Sequence, residues 1–472
     1  MRIHFIGIGG VGVSGLAEVA LAQGHRVTGS DRTASAITER LAARGAAIRI
    51  GHSAEAIGDW APDLVVYSAA IPASNPELAM AHARGIPTVS RSEYLGKAMD
   101  EAAPPRVAVA GTHGKTTTTS MVGAALVAAG LDPTVLIGGD YAAFGGNVRI
   151  GSGPFVTEAC EAFRSFLDLQ PDVAVITNIE PDHLDCYGDF DHVLEAFAAF
   201  VQRIRPGGTL VLWADDPHAD AFVGIGTDRG LRVLRYGLGE KPDRDMWADE
   251  PASAHGVTGV TVRMRGAGGA VERLGALTLG APGRHNILNG MAALGVAMAC
   301  GADILRAFDG LQGFGGVERR FDVLGSWRGA TVVDDYAHHP TEIRATMAAA
   351  RERFEGRRLI AVFQPHLYSR TRDLLDDFAQ ALAGADAVVV TGIYAAREEP
   401  IPGVDAALLS GRVAAVAPDV TLLTEPDRER IPSTLEHIVR KDDVILMLGA
   451  GDIREVGERL VATEPSTRKR EA

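Results

Sequence analysis

The sequence predicts an α/β protein of three domains: Rossmann-like at the N-terminus, P-loop ATPase-like in the centre, and Rossmann-like again at the C-terminus. Three observations carry that prediction. A chain of 472 residues is too long for one compact core. Short β-branched runs alternate with longer helical stretches, as in parallel α/β sheets, and the pattern falls into three blocks. Two of those blocks open on a strand, a glycine turn and a helix, at residues 7–12 and 111–116.

The first domain is placed at residues 1–103, with strands expected at 3–6, 27–30, 64–68 and 88–89. Ala102-Ala103-Pro104-Pro105 then reads as a stiff, non-helical linker. The second domain, 104–318, has strands expected at 106–110, 155–158, 173–178 and 210–213. A glycine-rich alternating stretch at 256–279 reads as a β-ribbon, followed by a helix to Ala299. The third domain, 319–472, has five expected strands at 331–334, 359–363, 387–391, 420–424 and 444–448. Residues 464–472 are polar and expected to fray.

Composition narrows the function. No apolar run is long enough to span a bilayer, and the N-terminus begins as a strand rather than as a secretory signal. Cys160, Cys186 and Cys300 form neither a disulfide framework nor a zinc pattern, so a cytoplasmic protein is expected. A net charge of −14 argues against nucleic-acid or membrane partners.

The strongest motif is Gly111-Thr112-His113-Gly114-Lys115-Thr116, followed by Thr117 and a helix with Met121, Val122, Ala125 and Leu126 on one face. Glycines let backbone amides approach phosphate oxygens, and a helix N-terminus offers unpaired N–H groups. Lys115 supplies a compact positive charge for the terminal phosphates of a nucleotide, and Thr116 a hydroxyl for Mg2+. Valine at 109, where the common eight-residue pattern has its first glycine, marks a compact variant. Metal ligands are sought at strand ends, where ligands of open sheets gather. Glu158 ends one strand, ahead of Glu161; Asp182 and His183 follow another.

Gly7-Ile8-Gly9-Gly10-Val11-Gly12 fits a dinucleotide turn, with Asp31 nineteen residues beyond Gly12. Alone it would suggest a nicotinamide-dependent oxidoreductase. The downstream phosphate loop and the lack of a hydride-transfer set argue otherwise. A non-catalytic nucleotide sensor is the other alternative.

The loop 111–116, EACE at 158–161, TNIEPDHLD at 177–185, GRHNILN at 283–289, DDYAHHP at 334–340 and QPHLYSRTR at 364–372 occur in one order. In these segments the chain resembles the ATP-dependent Mur ligases, in particular the alanine-adding members, over nearly its whole length. The resemblance implies an acid–amino-acid ligase of peptidoglycan synthesis with ATP and Mg2+ as cofactors. Its substrates would be UDP-N-acetylmuramate and L-alanine, joined through an acyl phosphate, and its state monomer or homodimer.

Residue roles follow from the same resemblance. Thr116, Glu158 and His183 would hold magnesium, and Lys115 the γ-phosphate. Gly111 to Thr117, His285, Asn289 and Asp335 would contact ATP, with Arg320 on the transferring phosphate. Tyr336, His338, His366 and Arg370 would form the amino-acid pocket. Gly9, Gly10, Gly12 and Asp31 would hold the UDP moiety, helped by His52 and Ser68. Lys115, His183 and Arg320 are the expected catalytic residues, and no general base is singled out. Two departures stand out: Leu367 replaces an arginine of some relatives, and no lysine lies between Lys115 and Lys241 to serve as the carbamylated lysine of sister ligases.

Overall fold

A computed structural model describes residues 1–463 apart from 69, 255, 256, 267 and 397. The tail expected to fray lies outside the described residues. The main strands form three sheets. β1 (Arg2–Ile6), β2 (Arg26–Asp31), β3 (Ala47–Ile50), β4 (Leu64–Tyr67) and β5 (Thr88–Ser90) are parallel, in the order β3-β2-β1-β4-β5. The order of the strands reverses between β1 and β4, so the crevice beyond their C-terminal ends is a ligand-binding position of such folds.

The second sheet comprises β6 (Arg106–Ala110), β7 (Thr134–Tyr141), β8 (Gly146–Arg149), β9 (Phe155–Glu158), β10 (Val173–Ile176), β11 (Thr209–Trp213), β12 (Arg232–Leu238) and β13 (Met246–Ala248). Its parallel run is β13-β12-β11-β10-β6-β9-β7, and β8 folds back antiparallel on β7. β15 (Val257–Arg265) and β16 (Val271–Leu279) make the expected ribbon, β14 (Ala252–Ala254) adds a short strand ahead of it, and Met264 of β15 pairs with Met246 of β13.

The third sheet has six strands where the sequence suggested five. β18 (Ala330–Asp335), β22 (Val444–Leu448), β19 (Leu359–Phe363), β20 (Ala387–Thr391) and β21 (Thr421–Glu425) are parallel neighbours in that order. The extra strand, β17 (Asp322–Trp327), pairs antiparallel with β18 at the edge and is bulged between Val323 and Gly325. The bulge breaks the period-two pattern that would have announced it.

Contacts divide the chain into two compact units: residues 1–250, 261–277 and 288–313, and residues 251–260, 278–287 and 314–472. The first unit holds two of the sheets. Within it, the Asn147 side chain donates to Val11 O at 2.8 Å, tying the β7–β8 hairpin to the helix Val11–Ala22. Central strands such as β6, with four of five residues buried, are apolar on both faces because helices cover both. No helix among the described residues is long and apolar enough to cross a membrane.

Phe166, fully buried, stacks on Phe200 at 4.9 Å and meets Phe197 edge-on at 5.2 Å. This cluster underpins the turn Ala162–Asp168 that follows Glu158 and Glu161. Phe166→Ala is expected to cost about 3–5 kcal/mol, seen as a lowered first transition in differential scanning calorimetry.

Candidate active site

β6 and β10 lie side by side in register, Ala110 opposite Ile176, so the turns that leave them meet. Gly111 has φ +135°, and a Cβ there would lie 2.0 Å from Thr177 Oγ1. Only glycine fits. The Thr177 hydroxyl donates to His113 O at 2.6 Å, and the Asn178 amide donates to the same carbonyl at 3.1 Å. In the other direction His113 N–H donates to Asn178 Oδ1 at 2.9 Å, and Thr112 N–H to Asn178 O at 2.9 Å. Glu180 N–H donates to Thr112 Oγ1 at 2.9 Å.

These bonds correct one expectation. The strand expected at 173–178 ends at Ile176, and Thr177 and Asn178 turn away to brace the phosphate loop. Gly114 (φ +80°) leads into the helix Lys115–Ala128, and a Cβ there would come within 2.7 Å of Asn289 Oδ1. Asn289 is buried against the loop, while His285, four residues earlier in the helix Arg284–Ala299, is exposed.

Lys115 Nζ donates to Gly111 O at 2.6 Å and Thr112 O at 3.0 Å, and lies 2.9 Å from the Glu161 carboxylate. Burial works against its charge, but the Glu161 carboxylate outweighs that penalty and holds the ammonium above its ordinary range. Thr116 Oγ1 donates to Glu158 Oε2 at 3.1 Å, and Glu158 also accepts the Gly138 N–H. His183 sits at φ +55°, a strained position for a non-glycine residue, and its Nε2 lies 3.6 Å from Glu161. Its Nδ1 is buried with no hydrogen-bond partner among the described residues. Hydroxyl, carboxylate and an unsatisfied imidazole nitrogen around one strand end suit a hard divalent cation. Glu161, which sequence reasoning set behind Glu158, proves to be the charge that joins Lys115 and His183.

In the first sheet, the turn after β1 is closed by Gly7 N–H donating to Ser30 O at 2.8 Å. Gly9 N–H donates to Asp31 Oδ2 at 2.8 Å, so the acid at the end of β2 faces the glycine turn. Gly10 precedes the helix Val11–Ala22, and Gly12 lies in its first turn. A Cβ at Gly12 would be 3.2 Å from the Arg91 guanidinium. The Arg91 guanidinium makes no hydrogen bond or ion pair among the described residues. Nothing in its sequence spacing ties it to the turn; only the fold reveals it. His52 and Ser68 follow β3 and β4 at the same edge.

The second unit gathers the remaining residues. The Arg319 and Arg320 guanidiniums stand 4.7 and 5.1 Å from the centre of the Tyr336 ring. Tyr336, His338, His366 and Tyr394 form a chain of ring contacts at 5.3, 5.7 and 5.7 Å. Arg370, buried, lies 3.3 Å from His366 Nδ1. The four expected amino-acid residues are therefore one cluster, and Tyr394 is an addition that its sequence context did not suggest. Asp335 accepts N–H bonds from Phe321 and Ala337, each at 2.9 Å. Burial pushes its carboxyl up to about 6, against the pull of Arg320.

Comparison with known proteins identifies the family of the chain. The catalytic domain of the Mur ligase family matches residues 2–102, the Mur ligase middle domain 109–297, and the Mur glutamate ligase domain 319–451. UDP-N-acetylmuramate–L-alanine ligase of Kineococcus radiotolerans is 46% identical over 465 residues, covering 98% of this chain and 95% of its own. The enzyme of that name from Rubrobacter xylanophilus is 46% identical over 473 residues, 98% of this chain and all of its own. Among solved structures, UDP-N-acetylmuramate–alanine ligase from Thermotoga maritima superposes with a TM-score of 0.79 at 29% identity, over 98% of both chains. A murein peptide ligase from Psychrobacter arcticus gives 0.72 at 26% identity, over 99% of this chain and all of that one.

Two expectations follow from the geometry. Asn178→Ala removes the bonds that fix His113 from both sides, at about 1–3 kcal/mol for groups left unpaired. It should raise the KM for ATP by roughly tenfold or more while leaving binding at the first sheet intact, as steady-state kinetics and titration with UDP would show. For Asp335, the unfolded carboxyl titrates near 3.8 and the folded one near 6. The folded state therefore loses stability as pH rises from about 4 to 6 and is flat above. The stability of Asp335→Asn relative to the parent should climb across that window, by roughly 3 kcal/mol at most, in thermal melts between pH 4 and 7.

Proposed function

The chain belongs to the Mur ligase family, and we propose that it joins L-alanine to the lactyl carboxylate of UDP-N-acetylmuramate at the expense of ATP. The observation that carries this reading is the braced loop with Lys115, Thr116, Glu158 and His183 at one strand end, in a chain about 46% identical to alanine-adding ligases along nearly its full length. Nothing in the comparisons favours the oxidoreductase or the sensor.

The lactyl carboxylate oxygen attacks the γ-phosphorus and ADP departs, leaving an acyl phosphate. The alanine amine then attacks the acyl carbon, loses a proton, and the tetrahedral intermediate collapses with release of inorganic phosphate. Lys115 leaves its own loop carbonyls to meet the γ-phosphate, and its raised pKa keeps it charged throughout. Thr116, Glu158 and His183 would hold magnesium, which neutralises charge on the phosphates. Arg320 serves the transferring phosphate and Asp335 the ribose. His285 and Asn289 serve the adenine end, with Asn289 also shaping the loop from behind.

The planar fork of Arg370 suits the alanine carboxylate, with His366 held beside it. Tyr336 and His338 complete that pocket. Gly9, Gly10 and Gly12 admit the substrate diphosphate, and the unpartnered Arg91 supports that placement by supplying a cation next to Gly12.

The test is phosphate release with UDP-N-acetylmuramate, ATP and L-alanine, then with each component omitted. Release is expected only from the complete mixture; release without the sugar nucleotide or without alanine would sink the ligase reading. Lys115→Ala should lower turnover by about a thousandfold or more while leaving UDP affinity within roughly twofold.

A further inference from the structure

Beneath the first sheet's ligand edge lies a buried polar chain that the chemistry above does not use. Glu77, fully buried in the first turn of the helix Pro76–Ala83, lies 3.4 Å from His4 Nε2 and accepts Ser53 N–H at 3.1 Å. Ser30, also fully buried, places its Oγ 2.5 Å from Glu77 Oε2 and 3.0 Å from His52 Nδ1. Burial opposes ionisation of Glu77, but hydrogen bonds from His4 and Ser30 and the proximity of His4 lower its pKa overall.

The direction of this chain is fixed by counting protons. An ionised carboxylate only accepts, and a hydroxyl has one proton to give. The Ser30 proton therefore goes to Glu77, and the Ser30 oxygen accepts from His52 Nδ1–H. A neutral imidazole carries a single N–H. His52 Nε2 is then a bare lone pair, and among the described residues it has no hydrogen-bond partner.

Position says what that lone pair meets. The glycine turn follows β1, Asp31 ends β2, and His52 follows β3, the outermost strand on that side. A nucleotide with its diphosphate on the turn and its ribose toward Asp31 lays its base toward His52. We propose that Glu77, acting through Ser30, is a positioning residue that sets the tautomer of His52, so that Nε2 accepts the imide N3–H of uracil and the site discriminates against cytosine, whose N3 is itself an acceptor. This rests on the assignment of the first sheet to the UDP moiety.

Calorimetric titration of the full chain with UDP and with CDP tests it. The parent is expected to prefer UDP by about tenfold or more. Ser30→Ala breaks the relay. Glu77→Gln offers an amide N–H to Ser30 and frees the hydroxyl to donate toward His52. Both should bring the two affinities to within about threefold, whereas Ser30→Thr, which keeps the hydroxyl, should retain the preference. Should Glu77→Gln fail to fold, the two Ser30 variants decide. An undiminished preference in folded Ser30→Ala overturns the relay, as does a parent that binds both nucleotides equally. Failure of the parent to bind UDP at all would instead overturn the assignment of the first sheet.

Discussion

The register of β6 against β10 is the constraint on which the central site depends. It brings Gly111 to Thr177 with no room for a side chain, and it sets the Asn178 side chain to receive one loop amide while giving its own N–H to the loop carbonyl. A loop of bare glycines would lose too much conformational entropy to hold its amides outward. Here the neighbouring strand end supplies the order, with hydrogen bonds that are already made before any nucleotide arrives. Pre-organisation of that kind is what electrostatic catalysis requires.

Much of the fold was legible because parallel strands buried on both faces announce themselves as continuous apolar runs. β6, β10, β19, β20 and β22 all read correctly in kind, within a residue or two. The strands left unread are β3, β7, β8, β12, β13, β14 and β17. β3 has no fully buried residue, β8 exists only as the return of a hairpin, and β17 is bulged. Their pairing is decided by neighbours rather than by their own pattern. The glycine turns were legible for a steric reason, since few other residues tolerate those backbone angles or close approaches.

The site was legible as chemistry and less so as mechanics. Lys115, Thr116, Glu158 and His183 stand out by residue type at strand ends, and the structure gathers them. Thr177 and Asn178 have the same polar character but spend it on backbone, a distinction that sequence spacing cannot make. Arg91 and Tyr394 were invisible because their partners lie far away in the chain: Arg91 is beside Gly12, and Tyr394 is stacked on His366. In the second unit, Arg319 and Arg320 share the Tyr336 ring, and each also has a carboxylate close by, Asp334 at 3.8 Å and Glu342 at 3.7 Å.

The grip of Lys115 on Glu161 makes the loop electrically self-contained in the absence of nucleotide. A polyanion that draws the ammonium away uncovers a buried carboxylate, and an uncovered carboxylate in that setting is costly until another cation reaches it. Capture of the anion and capture of the cation are thus two halves of one exchange. A phosphate chain without a cation would leave that carboxylate uncovered, and one carrying its own cation would cover it again.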